Sequence, residues 1–186
     1  MTDRVQFAAP RLLKTAVLFL VFNRLDTTKQ VFQAIRQAKP PRLYIASDGA
    51  RVDNEEEARN VAAVRDYIEK NIDWDCEVKT LFRDRNLGCK YAVSAAITWF
   101  FGCEEEGIVL EDDCLPHPDF FSFCEALLGH FRDDDRVSVI TGDNFQSGRP
   151  RGEGSYYFSK YSSVWGWASW RRAWNHYDVE LNFWPE

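Results

Sequence analysis

Three consecutive carboxylates, Glu111-Asp112-Asp113, close a short apolar run, Gly107-Ile108-Val109-Leu110. Apolar residues without alternation read as a strand buried on both faces, as in a parallel sheet. Pro116 and Pro118 then keep the chain from resuming regular structure at once. Acids placed where such a strand emerges repel one another and lose hydration unless a cation sits among them. Hard oxygen ligands at the carboxyl end of a strand suit a divalent metal that holds a phosphorylated ligand.

Two further groups carry chemistry. The loop Arg83-Asp84-Arg85-Asn86-Leu87-Gly88, with Lys90 just beyond, is locally basic in an acidic chain. Backbone N–H groups at a helix start there, with Arg85 and Lys90 beside them, could receive phosphate oxygens; the competing reading is a charge-paired surface loop. Trp165-Gly166-Trp167 and Trp170 either pack in the core, the commoner fate, or form a wall for the apolar face of a pyranose. Asp48-Gly49 and Arg24 say little singly, since aspartate then glycine after a strand is a common turn. A metal, a phosphate-compatible loop and an aromatic wall together indicate a sugar nucleotide. The cation would neutralise its diphosphate and stabilise the charge that grows as the glycosidic bond breaks.

The elements that must position these groups alternate. A strand over Ala16–Phe22 leads to a helix over about Thr27–Lys39, with Val31, Phe32 and Ile35 on one face and Asp26 as its cap. Pro40-Pro41 stops it, and Arg42–Ala46 is a second strand. Asn54 caps a helix whose first turn is acidic (Glu55, Glu56, Glu57) and whose stripe continues through Val61, Val64 and Ile68. Cys76–Phe82 is a third strand. A helix through about Phe101, the strand ending at Glu111, a helix over Asp119–Phe131 and a strand over Val137–Thr141 complete the series. This alternation predicts an α/β fold with a mostly parallel, Rossmann-like sheet flanked by helices. Asn23-Arg24, Asp48-Gly49, Arg83–Gly88, the acid triplet and Asp143-Asn144 would then converge on the carboxyl edge, where such sheets bind ligands. Ser147–Ser155 reads as a flexible loop, and an aromatic-rich segment follows from Tyr156.

Composition narrows the classes. The 186 residues are 45% apolar and 15% aromatic, enough for a core. A net charge of −6 excludes a general nucleic-acid binder, which needs a basic face. Five cysteines without a CxxC pair and three scattered histidines fit neither a zinc site nor a secreted disulfide framework, and point to reduced thiols in a cytoplasmic protein. Ala16–Phe22 is too short to span a bilayer and lacks a cleavage site, so no transmembrane segment is expected; peripheral membrane contact stays open.

The chain resembles the GT-A nucleotide-diphospho-sugar transferases and, more narrowly, bacterial relatives of N-acetylglucosaminyltransferase I. Val109-Leu110-Glu111-Asp112-Asp113-Cys114-Leu115 followed by Pro118-Asp119-Phe120-Phe121 carries the resemblance, with support from Phe22-Asn23-Arg24, Ser47-Asp48-Gly49 and Gly166-Trp167. It extends from about Ala16 to Asp178. The resemblance implies a metal-dependent inverting glycosyltransferase that moves a sugar from a UDP-sugar donor to a saccharide acceptor, in bacterial surface-polysaccharide synthesis. It implies that Asp113 coordinates the metal, Mn²⁺ or Mg²⁺, while Asp112 faces the donor sugar. Asn23, Arg24, Asp48, Arg85, Lys90, Glu111 and Trp167 would line the donor site, Lys90 standing where the eukaryotic enzyme has histidine.

An inverting reaction needs a carboxylate to deprotonate the acceptor hydroxyl. In the family that base lies in a Trp-Asp segment well beyond the Gly-Trp motif, and this sequence stops at Phe183-Trp184-Pro185-Glu186. Asp143 and Asp178 are substitutes on chemical grounds only. The expected organisation is one GT-A domain over 1–186, with residues 15–146 binding the nucleotide sugar and 156–186 opening a truncated acceptor side. Two alternatives stand beside it: a non-catalytic nucleotide-sugar-binding or partner-binding module, and a sugar-nucleotide pyrophosphorylase. The latter should carry a glycine-rich basic loop after the first strand, and Phe22-Asn23-Arg24-Leu25-Asp26 has no glycine.

Overall fold

A computed structural model describes residues 13–147, 149 and 152–182. Its strands are β1 (Ala16–Val21), β2 (Arg42–Ser47), β3 (Glu77–Phe82), β4 (Glu106–Glu111), β5 (Val139–Thr141) and β6 (Trp167–Trp170). The helices are α1 (Leu25–Ala38), α2 (Glu55–Asn71), α3 (Gly88–Cys103), α4 (Asp119–His130) and the single turn α5 (Arg171–Trp174). The sheet runs β3-β2-β1-β4-β6-β5. β3, β2, β1 and β4 are mutually parallel, and β6 lies antiparallel between β4 and β5. The result is an α/β, Rossmann-like fold with a mostly parallel sheet.

Every residue of β1 is buried, as its unbroken apolar run requires of a central parallel strand. Its side chains alternate between two cores. Val17, Phe19 and Val21 pack with Val31, Phe32 and Ile35 of α1, Val64 and Ile68 of α2, and the apolar stripe of α4. Ala16, Leu18 and Leu20 face Ala96, Ile97, Phe100 and Phe101 of α3 across the other side. Exposed β3, with Lys79 on it, and three-residue β5 form the edges, which limits edge-to-edge pairing.

Three sequence expectations change. Asp26 does not cap α1: the helix starts at Leu25, and Arg24 occupies the cap position without a side-chain cap bond. Asp26 sits inside the first turn, where its charge still suits the helix dipole. The strand expected from Val137 begins only at Val139, because Arg172 takes the Val137 carbonyl (3.1 Å) together with those of Phe131, Arg132 and Asp134. The aromatic segment also contributes β6, which places Trp167 in the core on the α3 face and Trp170 in the core on the other. By contrast, Asn54 caps α2 as read, its Oδ1 accepting the Glu57 N–H at 3.0 Å.

Candidate donor and metal site at the carboxyl edge of the sheet

Strand order reverses between β1 and β4, which makes their carboxyl ends a topological switch point. The pairing Leu20↔Glu111 brings the segment after Val21 beside the acid triplet. Arg24 spans the gap: one guanidinium nitrogen donates to Asp112 Oδ1 at 2.6 Å and to Asp113 Oδ2 at 3.0 Å.

The three acids occupy different environments. Asp112 is only 3% exposed and also accepts the Phe22 N–H at 3.3 Å. Burial pushes its carboxyl above the usual aspartate range, although Arg24 and that N–H pull the other way. Asp112 is therefore turned into the β1–β4 junction, because a buried charge needs its partners. Glu111 is half-buried, and burial followed by the charges of Asp113 and Asp112 raises its carboxyl. Asp113 is different: its side chain is 46% exposed, and its pair with a half-exposed arginine contributes little, about 0–1 kcal/mol. Of the three, Asp113 is the carboxylate that can exchange partners cheaply.

Asp48, at the end of β2, is committed elsewhere. Its carboxylate accepts the N–H of Leu87 (2.9 and 3.1 Å) and of Gly88 (3.1 Å), closing the start of α3 from 39–40 positions away. The N–H groups that the sequence offered to phosphate oxygens are thus held by a protein carboxylate, an acceptor of the same kind. Gly49 permits the contact, since a Cβ there would lie 2.6 Å from the Arg85 backbone. Asn86 Nδ2 donates to the Gly49 carbonyl at 2.8 Å. Arg85 is exposed on this loop, and Lys90 pairs with Glu180 at 2.8 Å on the surface.

Two groups at this edge carry no signal in the sequence. Glu57, in the first turn of α2, is buried and accepts from Asn23 Nδ2 (3.2 Å), Arg51 N (2.8 Å) and Arg51 Nη1 (2.6 Å), tying the loops after β1 and β2 together. Arg65 donates to Ser47 Oγ and to the carbonyls of Ser47, Asp48 and Arg83, fixing the ends of β2 and β3. The Asn23 bond to Glu57 spans 34 positions, and those of Arg65 span 17–18. Glu57 reads locally as dipole-favouring acid and Arg65 as a solvated helix face.

An open cleft of about 1390 Å³ adjoins the triplet and is lined by Asp113, His117, Phe120, Asp143, Phe145 and Trp165, among others. Of the expected residues, Asp113 faces it, whereas Asn23, Arg24 and Asp48 lie toward β1 and β2. Trp167, expected at the donor, is buried and meets Trp174 at a tilt (6.2 Å between centroids); an exposed indole at the edge is Trp165. The two candidate bases also separate. Asp143 borders the cleft, while Asp178 organises a turn by accepting from Glu180 N, Asn182 N and Asn182 Nδ2. Against slight burial, those donors hold the Asp178 carboxyl below its usual range, which weakens it as a base. Phe183–Glu186 lies outside the described residues.

Among the described residues no three acid, histidine or cysteine side chains converge as a ready-made metal cage. The donor set still fits a cation of the kind that takes one or two carboxylates and fills its other positions with phosphate oxygens and water. Two of the three acids share a single guanidinium here, and the most accessible of them faces the cleft. Among the described residues no helix is long and apolar enough to cross a membrane.

No family model matches the sequence, and no curated relative matches it. Its structure is similar to the crystal structure of 4-diphosphocytidyl-2C-methyl-D-erythritol synthase from Anaerococcus prevotii DSM 20548. The TM-score is 0.43 at 7% identity, over 86% of this chain and 72% of that one.

Proposed function

We propose that this chain is the donor-binding part of a GT-A glycosyltransferase, metal-dependent and inverting, which takes a UDP-sugar and hands the sugar to a saccharide acceptor. One observation carries the reading: at the β1–β4 switch point Arg24 pins a buried Asp112 while Asp113 stays accessible on an aromatic cleft. Asp113 would hold Mn²⁺ or Mg²⁺, which when bound neutralises diphosphate charge and stabilises the departing nucleoside diphosphate. Arg24 keeps the triplet's backbone in place through Asp112 and can turn its remaining N–H groups to phosphate oxygens. Asp48 and Arg65 fix the loops after β2 and β3 that border the nucleotide side. Glu111, next to Asp112 and Asp113 in the chain, would add negative charge to the acids that would hold the metal. Only three residues separate β1 from α1 and none is glycine, which counts against the glycine-rich triphosphate loop expected of a pyrophosphorylase.

Titration calorimetry with UDP, with and without Mn²⁺, tests the reading. Wild type is expected to bind UDP more tightly when Mn²⁺ is present, and Asp113→Asn to lose that gain while keeping its fold. A wild type indifferent to Mn²⁺, or an Asp113→Asn variant that retains the full gain, would show that the site is misassigned.

A further inference from the structure

Asp143 stands at the carboxyl end of β5 with one carboxylate oxygen fixed. Oδ2 accepts from Thr141 Oγ1 at 3.1 Å and from the Trp165 N–H at 3.2 Å. Oδ1 takes no partner among the described residues, and the side chain is half-buried on the cleft. Two residues on, Phe145 meets the Trp165 indole edge-to-face, 5.4 Å between centroids at 83°. Both rings are largely exposed (64% and 62%), and both line the cleft that Asp113 borders.

The sheet builds this corner. β6 runs antiparallel to β5 with Trp167 opposite Thr141, so the residue entering β6 and the residues leaving β5 meet at one edge. Gly166 makes the turn possible with φ +86, and the Gly142 N–H donates to its carbonyl at 3.3 Å. Gly142 has no side chain because a Cβ would lie 2.6 Å from the Phe120 ring. Trp165, Phe145 and Asp143 are thus set by backbone geometry rather than by a mobile surface loop.

We infer that Asp143, Phe145 and Trp165 form a saccharide subsite taking a neutral hexopyranoside. An exposed indole offers a flat apolar face to one side of a pyranose ring, and the phenyl ring at right angles gives that face a stop. The carboxylate beside them accepts from a ring hydroxyl with the oxygen that no described residue occupies. A purely apolar segment does not suit the corner, because it would desolvate Asp143 without replacing its hydrogen bonds. The subsite deepens the glycosyltransferase reading, on which its role as the acceptor position rests. Saccharide binding itself can be measured without any nucleotide.

Saturation-transfer difference NMR on the full chain, with methyl β-D-glucopyranoside and methyl N-acetyl-β-D-glucosaminide as probes, tests the subsite. At least one probe should receive saturation mainly on the protons of one ring face. Trp165→Ala and Asp143→Ala should each weaken that signal about three- to tenfold. Trp165 is exposed and Asp143 half-buried, and an unchanged melting temperature shows that the variants fold. Absence of transfer from wild type to both probes overturns the subsite, as does a signal that survives both substitutions. A saccharide signal in a chain that ignores UDP and Mn²⁺ would uphold the subsite and sink the donor reading instead.

Discussion

The Arg24–Asp112 contact predicts a stability coupling that can be measured without any ligand. Asp112 is 3% exposed, and its partners are the Arg24 guanidinium at 2.6 Å and the Phe22 N–H at 3.3 Å. In Arg24→Met a buried carboxylate keeps only the longer of these bonds. Removing one partner of a fully buried ion pair costs about 3–5 kcal/mol, and losing a hydrogen bond to a charged group costs about 1.5–3 kcal/mol. Arg24 is itself 52% exposed, so water can follow the vanished guanidinium to Asp112. The lower range applies, and we expect a loss of about 2 kcal/mol. The bond from Arg24 to Asp113 adds little, because both of those side chains are half-exposed. In an Asp112→Asn background the charge is gone, and Arg24→Met should then cost under about 0.5 kcal/mol, the scale of ordinary non-additivity. Urea unfolding followed by tryptophan fluorescence reads all four chains, with equal m-values required for the comparison. If Arg24→Met costs the same in both backgrounds, Arg24 does not stabilise Asp112, and the account of the switch point fails.

Three further outcomes follow from particular groups. Asp48→Ala should destabilise by about 1–2 kcal/mol, as loss of a helix cap does, and Asp48→Asn by less; hydrogen exchange should quicken at Leu87 and Gly88 and stay unchanged at β1. Burial pushes the Tyr44 phenol up to about 12, with its hydroxyl on Glu104 Oε1 at 2.7 Å. The unfolded phenol ionises near pH 10 while the folded one stays neutral, so stability is lost between about pH 10 and 12, and Tyr44→Phe should flatten that slope in alkaline unfolding titrations. A thiol reagent should modify exposed Cys89 and Cys103 quickly and Cys76 more slowly, its thiol being raised by burial. Buried Cys114 and Cys124 should react only on unfolding, which peptide mapping by mass spectrometry would reveal.

Local pattern exposed much of the parallel half of the sheet. The unbroken apolar runs of β1 and β4 could only be buried strands, and the acids that end β4 had to emerge at the edge where Arg24 follows β1. Asn54 was legible because a cap acts within three residues. The misreadings share a different origin. Trp-Ala-Ser-Trp offers four residues with no alternation to mark a strand, and its place between β4 and β5 depends on pairing across more than twenty-five positions. The bonds of Asp48 to the start of α3 were not legible, because the N–H groups it captures lie 39–40 positions on. The bond of Glu57 to Asn23, 34 positions back, and those of Arg65, 17–18 positions away, were hidden for a similar reason. The triplet itself was visible as a cluster, yet the division of labour within it was not: which acid is sealed and which is open depends on how β1 approaches.

The late strand β6 has a consequence for how the chain is made. β4 presents an apolar sequence whose second edge finds its partner only when Trp167–Trp170 has left the ribosome, about sixty residues later. Until then the backbone donors and acceptors of Glu106–Val109 face solvent beside a strand that could pair with any neighbouring chain. β5 is synthesised before its only strand partner in the described sheet and can join only through it. A nascent chain shortened ahead of Trp167 should therefore bind chaperones or aggregate, even though β1, β2, β3 and β4 are all present. Release past Trp170 should be the step at which it becomes soluble.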